Sequence, residues 1–433
     1  MNETTRAAYF VRWTKRRLDA SHPVVAPDER LPWPGSLALG AQHVVAMFGA
    51  TMLAPLLMGF DPNVAILMSG VGTLVFFLVV GGRVPSYLGS SFAFIGAVNA
   101  ATGYLGHGPN LRLAEALGGI IVCGAAYAAV GVIVMLVGVA WIEALMPPVV
   151  TGAVVMVIGL NLTPTAVRGA TGTSFDAWVA LLTIICMVGV AVFARGLLQR
   201  LLIVAGLALA YALYAGFCNG LGWGHPIDFS GVGQAPLLGL PHWSTPAFRA
   251  DAVSIIVPIA VILVAENLGH IKAVSAMTGQ NLDKYLGRAF VADGVATMVA
   301  GSVGGTGVTT YAENIGVMAV TRVYSTLPFV IAALLAIVLG FSPRFGALIQ
   351  TIPGPVLGGV SIVVFGLIAA SGARIWIVNQ VDFADHRNLL VAAVTLTLGT
   401  GDFTLHLGAL TLGGIGTATF GAMLLAALLR RAG

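Results

Sequence analysis

The chain has 433 residues, of which 58% are hydrophobic and only 9% charged, with 56 glycines besides. A soluble domain carries about 25% charged residues, so this sequence lacks the polar side chains to cover a water-soluble globule of its size. Nucleic-acid binding, soluble enzymology and disorder are excluded, and a polytopic helical membrane protein is left. The net charge of +4 fits lysine and arginine held on cytoplasmic loops. Cys123, Cys186 and Cys218 lie in apolar runs without CxxC spacing and read as packing residues.

Residues 1–35 read as a cytoplasmic tail, basic at Arg6, Arg12, Lys15, Arg16 and Arg17, with no apolar signal-peptide core following. Apolar runs then predict spans near 37–58, 63–81, 111–140, 147–163, 175–194 and 199–217 in the first half. The second half has runs near 252–274, 286–301, 326–341, 355–372, 389–400 and 407–429. Two shorter stretches, 85–104 and 304–324, are richer in small and polar residues. Each reads as half a helix preceded by extended chain, and counting both gives about 14 spans. Arg83, Arg195, Arg200, Lys272, Lys284, Arg288, Arg322, Arg374, Arg387, Arg430 and Arg431 fall on one side of such a threading. The 219–248 connection on the other side has no lysine or arginine, although Arg112, Arg168, Arg249 and Arg344 are exceptions there. This bias places both termini in the cytoplasm.

The sequence also repeats. Residues 148–160, beginning Pro-Val and closing Gly-Leu, align without gaps to 355–367, and Gln42-His43 in the first span sits where Glu266-Asn267 sits in the eighth. Seven spans per half would turn the halves over relative to each other, as in the inverted repeats of secondary transporters.

Within the apolar segments three acids stand out: Glu266, Asp293 and Glu313. A charge at mid-membrane costs roughly 2.5–3.5 kcal/mol on insertion scales, so each needs a partner or a task. His270 lies one turn after Glu266 on the same helix face and could share or relay its proton. No further metal ligand accompanies that pair. Thr310-x-x-Glu313 has capping-box spacing, which would start a helix at that point. Ser90-Ser91-Phe92 has the same character in the first half, with serine as the cap. A helix that starts in mid-membrane presents unpaired N–H groups and a positive dipole end. The chain before each start, 84–88 and 304–308, reads as extended, and the two could pair as short antiparallel strands. Gly301–Gly307 lacks the Gly-Lys-Ser/Thr ending of a phosphate loop and reads as tight turns. Two carboxylates, two half-helix starts and an aromatic ring at Phe92 or Tyr311 suit a small, planar, neutral ligand with alternating N–H and C=O groups. The carboxylates could also carry protons. Two acids disfavour an anion, and no nucleophile or metal cluster suggests an enzyme.

Glu313-Asn314-Ile-Gly316-x4-Thr321-Arg322, together with Gln42-His43, Ser90-Ser91-Phe92 and Glu266-Asn-Leu-Gly-His270, resembles the signature motifs of the nucleobase–ascorbate (uracil–xanthine) permeases, over about 36–431. The resemblance implies an all-α fold of 14 segments in a seven-plus-seven inverted repeat. Core segments would be 36–140 and 251–347, gate segments 141–218 and 348–433, and 219–250 an extracytoplasmic linker. It implies proton-coupled, elevator-like import of uracil or a related pyrimidine, no cofactor, a homodimer, and residence in a bacterial-type inner membrane. Carried over by motif, Glu266 and Glu313 would hold the polar edges of the ring, and the N–H groups of Phe92 and Ala312 would face its carbonyls. Ser91 and Tyr311 would line the site, His270 would support Glu266, and His43 would lie near. Gln42, Asn314, Asp293 and Thr310 would be secondary polar groups. Ala312 stands where uracil permeases often have glycine, and glutamate at 313 favours a pyrimidine over xanthine or urate. A purine permease or an uncoupled nucleobase channel is the alternative.

Overall fold

The computed structural model describes residues 9–18, 23–104, 110–196, 199, 201–408 and 410–431. Arg6 and Arg200, counted among the basic residues above, lie outside them. The chain is mostly helical. Among the described residues nine helices are long and apolar enough to cross a membrane, or ten if one pair bent by 81° counts as a single span. The first half runs α1 (Trp33–Met58), α2 (Pro62–Val79), strand β1 (Leu88–Ser90), α3 (Ala93–Thr102), α4 (Leu113–Val137), α5 (Ala140–Leu145), α6 (Pro148–Ala170), α7 (Ser174–Phe193) and α8 (Leu202–Ala215). After a short helix, α9 (Ser230–Gln234), the chain continues with α10 (Ala250–Ile256), α11 (Ile259–Thr278), α12 (Leu286–Val303), strand β2 (Val308–Thr310), α13 (Ala312–Thr321), α14 (Leu327–Gly340), α15 (Pro343–Gln350), α16 (Gly354–Val378), α17 (His386–Thr400) and α18 (Gly414–Arg431).

The expected extended segments lie slightly later than read, and they pair. Leu88, Gly89 and Ser90 run antiparallel to Thr310, Thr309 and Val308. Two threonines on flanking helices set where pairing begins. Thr73 Oγ1 of α2 accepts from Leu88 N at 2.9 Å, and Thr297 Oγ1 of α12 accepts from Val308 N at 3.2 Å. All six paired residues are buried, so unwound backbone in the apolar interior satisfies itself across the pair.

Packing follows small residues. α4 lies against α12 so closely that a Cβ on Gly294 would meet Ala128 N at 2.5 Å and Gly124 O at 2.6 Å. Without a water-driven force between helices in lipid, such backbone approach is what holds them together. α2 packs on α14, and α6 packs along α16. Two packing groups result: α1–α4 with α10–α14, and α6–α8 with α16–α18.

The segment read as a cytoplasmic tail is tied down at Tyr9, Trp13 and Val25. Val25 N donates to Arg322 O at 3.0 Å and Tyr324 N to Val25 O at 2.8 Å, so this strand edge fastens the turn after α13. Trp13 Nε1 donates to Thr326 Oγ1 at 2.9 Å, and the Tyr9 hydroxyl to Val79 O at 2.6 Å.

Candidate functional site

α3 and α13, ten residues each, start from the ends of the strand pair and point their N-termini into the molecule. The first N–H groups of a helix have no intrahelical partner, so these two starts present donors where apolar helices surround them. A cavity of about 330 Å³ lies in front of them. Ser91, Phe92, Glu266, His270, Thr310, Tyr311, Ala312 and Glu313 all line it. Seven of these are the residues read from the sequence as ligand contacts, here joined by Thr310. The opposite wall comes from the other packing group: Val155 and Ile158 of α6, and Ile368, Ser371 and Arg374 of α16.

Local bonds fix the site. The Tyr311 hydroxyl donates to Ser90 O at 2.8 Å and accepts from Thr51 Oγ1 at 3.2 Å. Its ring is 4% exposed and lies over Gly89, where an added Cβ would come within 2.4 Å of it. Tyr311 therefore braces the strand pair as well as lining the cavity. Phe92 stands edge-on to Phe365 of α16 at 6.2 Å, in reach of both packing groups. His270 Nδ1 and Thr310 Oγ1 share a hydrogen bond at 2.8 Å. That bond replaces the capping box: Tyr311, with no side-chain cap bond, precedes α13, because the Thr310 hydroxyl is turned to His270 instead. In the first half the serine cap is partly made, with Ser91 Oγ accepting from Ala93 N at 3.3 Å. Glu266 Oε2 is buried and has no hydrogen-bond partner among the described residues, as expected of a group aimed at a ligand.

The other candidates are placed elsewhere. Asp293 is fully buried and bonded to the Asn267 amide, which also donates to the Tyr127 hydroxyl at 2.9 Å. It is a packing cluster behind Glu266, outside the cavity wall. Asn314 Nδ2 donates to His43 O at 3.0 Å and lies 3.1 Å from His43 Nδ1, while His43 packs on Phe329 at 4.3 Å. This pair seats α13 on α1. Neither residue lines the cavity, nor does Gln42. No group of three potential metal ligands occurs among the described residues.

The α6 and α16 wall was missed because its apolar residues carry no chemical signal. A larger cavity, about 450 Å³, lies at the Arg168 end of α6 beside Asn99, Asn161 and Asp402, away from both glutamates.

Known proteins resemble this chain over most of its length. The profile of the group Xan_ur_permease, described as "Permease family", matches residues 34–408. A protein of Escherichia coli (strain K12) named "Putative pyrimidine permease RutG" is 63% identical over 422 residues, covering 98% of this chain and 96% of that protein. The "Uracil permease" of Paenibacillus larvae is 40% identical, covering 93% and 96%. Among solved structures, the transmembrane domain of the cyanobacterial bicarbonate transporter BicA matches with a TM-score of 0.63 at 16% identity, covering 91% of this chain and 97% of that one. The murine anion transporter Slc26a9 matches at 0.67 and 14%, covering 91% and 68%. At such identity these two establish a shared fold and nothing of the ligand.

Proposed function

The chain belongs to the uracil–xanthine permease family, whose members transport rather than catalyse, and from that premise we propose that it imports uracil or a close pyrimidine together with protons. One observation carries the reading: Glu266 and Glu313 line a single cavity with the helix starts at Phe92 and Ala312. Its volume falls in the range of small-molecule sites, about 300–1,000 Å³. Carboxylates accept from ring N–H groups, and free backbone N–H groups donate to ring carbonyls, so the polar edges of a uracil ring are matched on both sides. The phenyl ring of Phe92 offers an apolar surface for a planar ligand. One of the two carboxylates takes a proton on the outer side and releases it inside, with His270 as its relay.

Transport follows alternating access. The group α1–α4 with α10–α14 is the moving core, carrying both glutamates and both half-helices. The group α6–α8 with α16–α18 is the gate. The cavity lies on the boundary between them, which favours a core that slides along the gate as an elevator. Seven segments in each half form an inverted repeat. Its support is the matched packing, in which α4–α12 is answered by α2–α14 and α7–α16 by α6–α17, and the matched threonines Thr73 and Thr297. Both termini face the cytoplasm of a bacterial inner membrane, as the basic residues favour, so the Arg374 end of the cavity opens inward. A homodimer forms through the gate, whose α7 face exposes Trp178 at 70%.

The test is competition for labelled uracil uptake. Unlabelled uracil should compete better than xanthine, and Glu313→Gln should lower uptake by about tenfold or more, since the neutral amide accepts a ring N–H more weakly than a carboxylate and cannot carry the coupled proton. Equal or better competition by xanthine would replace the pyrimidine with a purine. Unaltered uptake by Glu313→Gln would remove that residue from the site.

A further inference from the structure

A second cavity adjoins the substrate cavity at Glu313. Its volume is about 300 Å³, and it shares Ala312, Glu313, Ile368 and Ser371 with the substrate cavity. Beyond that common mouth its walls are aliphatic, built from Ala46 of α1, Ile203 and Val204 of α8, and Val364 and Leu367 of α16. Glu266 and His270 take no part in it. Its position is fixed by packing, because Ile203 is seated on α1 at Gly49, where an added Cβ would meet the isoleucine at 2.4 Å.

We propose that this recess is an annex of the binding site that receives an apolar substituent on the substrate ring, so that the protein binds uracils bearing a short alkyl chain at C5 or C6. The proposal rests on the uracil reading above. In a uracil ring the nitrogens and carbonyl oxygens are used by the carboxylates and the helix starts. C5 and C6 carry no hydrogen-bonding group, so a chain attached there costs no polar contact. The annex adjoins the ring at Ala312 and Glu313, and among the described residues its only polar side chains, Glu313 and Ser371, lie at the shared mouth. A chain entering it exchanges water for an aliphatic wall, which strengthens binding by about fourfold for each buried methylene.

The experiment measures inhibition of labelled-uracil uptake by the full chain in proteoliposomes, using uracil and its 5- and 6-methyl, -ethyl and -propyl derivatives. The expected result is a gain of about fourfold per added carbon at one of the two ring positions. Ala46→Phe, which fills the annex away from the ring, should abolish that gain and leave inhibition by uracil itself unchanged. Inhibition that stays flat or weakens with chain length at both positions, while uracil still competes, overturns the annex and leaves the uracil reading standing. The same gain in Ala46→Phe as in the wild type also overturns it. Failure of uracil itself to compete overturns the underlying reading, and the annex with it.

Discussion

Gly89→Ala places one methyl group at the junction that aims both half-helices. The new Cβ would stand 2.4 Å from Tyr311 Cζ, 2.5 Å from Cε2 and 2.7 Å from Thr51 Oγ1. Ordinary contact begins near 3.5 Å, so the Tyr311 ring must retreat by about 1 Å. The ring is buried and its hydroxyl is bonded to Ser90 O and Thr51. Overpacking costs about 1–3 kcal/mol, and strained or broken bonds at the tyrosine add about 1 kcal/mol each. A loss of about 2–5 kcal/mol follows, and α13 shifts with Tyr311, carrying Ala312 and Glu313. Thermal unfolding of the purified protein in detergent, with and without uracil, measures both effects. The variant should unfold at lower temperature and gain less from uracil than the wild type. An unfolding temperature within about 1 °C of wild type, with the same uracil-dependent rise, would refute the reasoning.

Asp293→Ala should behave in the opposite way to Glu313→Gln: it leaves the Asn267 amide short of an acceptor and opens a void, a stability loss of about 2–4 kcal/mol seen in thermal unfolding. Glu313→Gln should unfold close to wild type while losing uptake, if its carboxylate serves the ligand as proposed. Lys272 joins Glu143 of α5 at 2.9 Å and Asp283 at 2.9 Å, all three about two-fifths exposed. Glu143→Gln should therefore cost under about 1 kcal/mol, less still at high salt, as thermal unfolding at two ionic strengths would report.

Much of this molecule was legible because a bilayer simplifies the reading. Long apolar runs must be spans, and with 9% charge a glutamate inside one is conspicuous. Glu266 and Glu313 were found on that ground, the helix starts at Phe92 and Ala312 from capping patterns and family motifs, and all four line one cavity. What was not legible depends on tertiary choice. The strands begin at Leu88 and Val308 because Thr73 and Thr297 reach them from other helices, which no local pattern encodes. Thr310 has two uses open to it, cap or His270 partner, and only packing decides between them. The run at 326–341 shows no sign that the chain turns by 81° into α15. The tail shows no local sign of a partner, yet Val25 finds one at Arg322 nearly three hundred residues away. Asp293 shows the limit of the acid argument: its partner Asn267 adjoins Glu266 in sequence but faces the other way.

The fold alone would mislead about the cargo. Two structures that share it are a bicarbonate and an anion transporter, whereas here Glu266 and Glu313 stand before the half-helix starts. A shared scaffold does not fix the ligand, because the side chains placed on it differ.

The central claim is that those carboxylates couple a neutral nucleobase to protons. Uptake of labelled uracil into proteoliposomes, with and without an inward proton gradient, tests it most directly. Accumulation above the outside concentration that requires the gradient, and that collapses when a protonophore dissipates it, is the predicted result. Uptake that only equilibrates, at the same rate with or without the gradient, would contradict it.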